Sequence, residues 1–89
     1  MEHLPASVLQ KALEEARAVV HVGARYSHFK TPTSEYIVTG LGILEATEEV
    51  AVIYQPQQGD TVTFVRPFSS WIETVEHEGS TVPRFSKLP

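Results

Sequence analysis

Cysteine is absent from this 89-residue chain. That absence excludes a disulfide framework, a thiolate zinc site, an iron–sulfur cluster and a cysteine nucleophile. Long apolar runs are absent too. The longest, such as Val50–Tyr54, is strand length, far from the roughly 20 residues of a membrane helix. The start, Met1-Glu2-His3-Leu4-Pro5, carries no basic segment followed by an apolar stretch, so no secretory signal is expected and a cytoplasmic location is the default reading. Basic charge is scarce: the net charge is −4, opposite in sign to the footprint with which most nucleic-acid binders neutralise phosphates. There is no phosphate-cradling glycine loop, no internal repeat and no low-complexity segment.

What is present suits one small globular domain spanning residues 1–89. Hydrophobic residues make up 42% of the chain and charged residues 20%, which argues against disorder. A domain of this size buries only about 60% of the surface its unfolded chain exposes, so most of its apolar side chains must go to the core.

The pattern has two periods. Leu9, Ala12, Leu13, Ala16 and Val20 recur at helical spacing, and the spacing predicts a helix over about residues 5–20. Pro5 suits its first turn, Ser7 and Gln10 form a capping-box pattern, and Gly23 suits its stop. From Arg25 the period becomes two. Strands are expected at Arg25–Lys30, Glu35–Leu44, Val50–Gln55 and Thr61–Arg66, with turns at Thr31–Ser34, Ala46–Glu49 and Pro56–Asp60. Gly40 and Gly42 mark a bend, a bulge or a close backbone approach. Pro67 ends its strand, Phe68–Ser70 reads as a short helical turn, and Trp71–Glu76 with Thr81–Ser86 as a final hairpin around Glu78–Ser80. The expected fold is mainly β: a small antiparallel barrel of five or six strands over residues 22–88, preceded by one N-terminal helix.

Several ordered motifs carry a family likeness. Tyr26-Ser27-His28-Phe29-Lys30, Tyr36 with the apolar strand after it, Val52-Ile53-Tyr54-Gln55, Val65-Arg66-Pro67 with Trp71, and Val82-Pro83-Arg84-Phe85 together resemble the bacterial domain-of-unknown-function family 1653 over residues 22–88. The resemblance implies an SH3-like barrel and no particular activity. Thr31–Ser34 departs from the shorter glycine-containing turn common in that family, and Phe68–Trp71 from its Leu-rich segment. The N-terminal helix lies outside the family core, although longer members resemble it.

Six residues are candidates for a ligand site: Tyr26, His28, Tyr54, Arg66, Trp71 and Arg84. Tyr26 and His28 are two apart on a strand and share a face, where they either meet a ligand or, respectively, pack in the core and donate to a backbone carbonyl. Arg66, between an apolar strand and a proline, either clamps a carboxylate or phosphate with its planar fork or pairs with a glutamate. Arg84 has the same two readings. Tyr54 and Trp71 have polar tips beside turns, which suits a ligand wall, although core packing is the alternative. His3, His21, His28 and His77 are too scattered for the three or four converging ligands of a zinc site, so neither a metal nor another cofactor is expected. The pairs Glu73/Glu76 and Glu45/Glu49 read as solvated edges that discourage strand pairing rather than as an acid–base pair.

Three functions follow from these residues. The first is a non-catalytic binding module with an aromatic, histidine and arginine groove for a small anionic ligand or peptide. The second is a small hydrolase with His28 as base and Arg66 as clamp, which requires the two to converge on one substrate atom. The third is a single-stranded nucleic-acid-binding barrel, which the acidic balance disfavours. The partner is then an unknown small ligand or protein, no membrane is involved, and a homodimer through the helix's apolar stripe is an alternative to packing of that stripe on its own barrel.

Overall fold

The structure, a computed structural model, describes residues 3–59 and 62–89. The helix α1 runs over Ala6–Arg17, shorter than its apolar stripe suggests. Pro5 is its N-cap, and no side chain caps it. The Pro5 carbonyl accepts from the Val8 and Leu9 N–H groups at 3.0 and 3.2 Å, so the Ser7/Gln10 capping box does not form. Past Arg17 the chain continues as a turn, with the Val20 N–H donating to the Ala16 carbonyl at 2.8 Å. Ala16 and Val20 are the buried end of the stripe, each 1% exposed. Gly23 lies beyond the helix end, with φ +88°, and its N–H donates to the Val38 carbonyl at 2.7 Å. It ties the helix turn to the sheet instead of capping the helix.

Seven strands follow: β1 Arg25–His28, β2 Thr31–Ile43, β3 Val50–Pro56, β4 Phe64–Pro67, β5 Thr74–His77, β6 Ser80–Pro83 and β7 Phe85–Lys87. A one-turn helix α2, Phe68–Trp71, separates β4 from β5. Five strands form one antiparallel sheet in the order β4-β3-β2-β1-β7, and β5 and β6 make a separate hairpin. The mainly β architecture behind an N-terminal helix is as expected.

Three details differ from the sequence reading. Thr31–Ser34 is not a free turn but the start of β2. The reversal is at Phe29 and Lys30, and the β1 partner jumps from Thr31 to Glu35 between His28 and Ser27. Pro32, Thr33 and Ser34 are looped out of the ladder, so the missing proline N–H costs no strand bond. Second, the irregularity near Gly40 falls on Thr39, which the β2–β3 register skips between Val38 and Gly40; its hydroxyl donates to the Ile53 carbonyl at 3.3 Å. This is a β-bulge. Third, the C-terminal segment divides differently. Trp71 belongs to α2, the hairpin ends at Pro83, and Phe85–Lys87 leaves it to pair with β1. Arg84 is the changeover residue: its N–H donates to the Glu73 carbonyl at 2.9 Å, in register with the hairpin, while its carbonyl accepts the N–H of Phe29, just beyond β1, at 3.0 Å. Of the expected strand Thr61–Arg66, Thr61 lies outside the described residues, as does Asp60 of the turn before it, and pairing with β3 begins at Phe64.

The core is Val20, Tyr26, Val38, Val52, Tyr54, Trp71 and Phe85. Its centre is a stack: the Trp71 and Phe85 rings lie 3.7 Å apart and parallel within 2°. Tyr26 and Tyr54 meet Trp71 edge-on at 5.3 and 5.0 Å.

Candidate functional site

Across the large sheet the strands leave a groove of about 320 Å³, within the usual range of ligand sites, about 300–1,000 Å³. Every strand of the sheet contributes to it. Phe64 and Arg66 come from β4, Tyr54 from β3, Tyr36 from β2, His28 from β1 and Phe85 from β7. The register explains the gathering. Tyr54 pairs with Phe64 and His28 with Phe85, and paired residues share a face. Lys30 of the β1–β2 turn and Thr31 at the start of β2 complete the rim.

The groove is cationic. Lys30 and Arg66 line it, and no carboxylate among the described residues does. The Arg66 Nη1 donates to the Ser70 hydroxyl at 2.9 Å, and its guanidinium lies 5.4 Å from the Phe85 ring centre. Its Nε is buried without a hydrogen-bond partner. Arg84 stands just behind: its Nε donates to the Ser70 carbonyl at 3.1 Å, and its Nη2 is 3.6 Å from Glu73. Ser70, on α2, therefore orients both arginines, one through its side chain and one through its backbone.

His28 sits among these charges. Its Nδ1 accepts the Lys30 backbone N–H at 3.2 Å, which leaves the proton of the neutral imidazole on Nε2. The expected bond, with His28 as donor to a carbonyl, is thus reversed. Burial first, then the charges of Arg66, Arg84 and Lys30, push its pKa below the ordinary 6.5.

Of the six candidate residues, the groove brings together His28, Tyr54 and Arg66. Tyr26 and Trp71 lie beneath, 4% and 3% exposed; the Tyr26 hydroxyl accepts the His21 N–H at 2.9 Å, and both line a separate cleft with Val20 and Lys87. Arg84 acts on the groove through its charge. Lys30, Tyr36, Phe64 and Phe85 were not among the candidates. Strand alternation carried the signal for one of them, since Phe64 is two residues from Arg66 on β4, whereas Lys30 lies in the turn after β1. Among the described residues, no three His, Asp or Glu side chains converge to hold a metal. A smaller cleft of about 190 Å³ between Thr33–Tyr36 and Pro56–Gln58 has no cation in its lining.

The sequence model of the family described as "Protein of unknown function (DUF1653)" matches residues 24–87. The chain belongs to this family. A crystal structure of a DUF1653 protein from Bordetella bronchiseptica is similar, with a TM-score of 0.64 and 28% identity over 74% of this chain and 85% of that one. No curated protein matches the sequence. The DUF1653 segment contains every residue lining the groove and excludes α1. No helix among the described residues is long and apolar enough to cross a membrane.

Proposed function

We propose that this DUF1653 chain is a non-catalytic binding module whose groove takes the anionic group of a small ligand or peptide. The observation that carries the reading is a pair of cations, Lys30 and Arg66, in an aromatic groove with no lining carboxylate among the described residues, on a chain of net charge −4. Cations gathered against the overall charge, with no lining carboxylate among the described residues to neutralise them, suit an anionic partner, and low-dielectric walls strengthen their pull on it. His28 supports binding over hydrolysis. With Nδ1 occupied by the Lys30 N–H, the neutral ring offers a donor rather than a free basic nitrogen.

A thermal-shift series with small phosphates and carboxylates tests this. Ligand at 100 times its dissociation constant stabilises by about 2.7 kcal/mol, and each kcal/mol moves the melting temperature of a domain this size by about 4–8 °C. The shift is expected in the wild type, reduced in Lys30→Ala, absent in Arg66→Ala, and weakened by salt. Lys30 is exposed, so its loss leaves the fold intact. An anion panel that leaves the wild-type melting temperature unmoved would sink the proposal.

A further inference from the structure

We infer that the groove's ligand is a small molecule in which a phosphate monoester is joined to a flat ring, the chemistry of a nucleoside monophosphate, with the phosphate on Lys30 and Arg66 and the ring against Phe64. The inference rests on the anion-binding reading and narrows it.

Charge selects the phosphate. Two cations line the groove, a third stands behind Ser70, and the one lining histidine adds a neutral donor. A carboxylate neutralises one of these charges. A phosphate monoester carries about −1.5 to −2 at pH 7 and three acceptor oxygens, which balances both lining cations and leaves an oxygen for His28 or Thr31.

Phe64 selects the ring. It is 44% exposed, unlike the other aromatic rings of the groove, and it leans on Tyr54 with centroids 5.7 Å apart and planes tilted by 34°. A large apolar ring left open beside a cationic pocket is a stacking platform, and every nucleobase has a face to lay on it. Size and charge limit the ligand to one such unit. The groove holds about 320 Å³, near the small end for ligand sites. Beyond it, a chain of net charge −4 repels a continuing polyanion.

The test titrates the full chain, followed by amide NMR shifts, with inorganic phosphate, adenosine, adenosine 5′-monophosphate, uridine 5′-monophosphate and a short single-stranded oligonucleotide. Both monophosphates are expected to bind about tenfold or more tightly than inorganic phosphate, the size of one stacked base. Phe64→Ala should erase that gain and keep phosphate binding, while Phe64→Tyr should preserve it; an unchanged spectrum elsewhere shows that each variant folds. Phosphate binding with no gain from the nucleoside overturns this inference and leaves the anion-binding reading standing. Tighter binding of the oligonucleotide than of either monophosphate overturns the small-molecule assignment. Failure of every anion to bind the wild type removes both readings.

Discussion

His28 shows how one side chain reports on its surroundings. Its pKa is depressed by burial and then by Arg66, Arg84 and Lys30, so the folded protein resists protonating it. In the unfolded chain it titrates near 6.5. Between the folded and unfolded values the unfolded state holds more protons, and stability rises with pH there. The contribution is complete above about 6.5 and is lost as pH falls toward the folded value. His28→Gln should flatten this part of the melting-temperature profile between pH 5 and 7 relative to wild type, and the His28 ring resonances should titrate below 6.5. A midpoint at or above that value removes the cationic account of the site. The residue scale is also where the sequence was least legible. Alternation places Tyr26 and His28 on one face, but not at one depth: the register shift between Ser27 and His28 and the return of β7 leave Tyr26 in the core and His28 at the rim. Ser70 was unreadable in advance, because its role depends on two arginines 4 and 14 residues away.

At the scale of elements, strand periodicity and turn chemistry revealed most strands, and failed where one residue redirects the chain. The β5–β6 hairpin was legible from Glu78-Gly79 because a two-residue reversal needs positive φ at both positions. Both have it, at 51° and 80°. Glycine adopts that conformation freely, and glutamate does so at a cost. Gly79→Ala should therefore destabilise by about 1–2 kcal/mol, while Glu78→Asn should stabilise by about 1 kcal/mol or less. Urea unfolding followed by far-UV circular dichroism measures both. Gly42 is the opposite case. Its φ is not positive, and an added Cβ would meet Ile53 Cδ1 at 3.8 Å, ordinary contact. Gly42→Ala should raise stability by about 0.4–1 kcal/mol through the unfolded chain; a loss instead would mean that the bend at Thr39 draws on Gly42 as well. The exit of Phe85–Lys87 from the hairpin was not legible, since the alternation continues through Val82–Phe85 and the change of partner takes place within Arg84, whose N–H bonds Glu73 and whose carbonyl bonds Phe29.

The whole molecule is held by contacts between the two ends of its large sheet. β4 and β7 are the end strands, and side chains join them directly and through the residues that adjoin them, α2 after β4 and Arg84 before β7. The Arg66 guanidinium lies over Phe85, Arg84 binds the Ser70 carbonyl, and Trp71 of α2 stacks on Phe85 of β7. Phe85 of this stack also lines the groove, so the contact that packs α2 on β7 bears on the site as well. The turn that follows α1 joins this core through Val20, which is 1% exposed. Val20→Ala should cost about 1.5–3 kcal/mol, and a chain lacking residues 1–20 should lose cooperative folding. Trp71 is the stronger test. Trp71→Ala should cost about 3–5 kcal/mol from a total that for domains of this kind is about 5–15 kcal/mol. Trp71→Phe keeps a flat ring on Phe85 and should cost markedly less. If the stack closes the sheet, Trp71→Ala at permissive temperature should also collapse the amide shift dispersion of β4 and β7 while sparing the β5–β6 hairpin, whose pairing is separate. Equal loss in the hairpin, or a cost below about 1 kcal/mol, would mean that the sheet ends are held by something other than this stack.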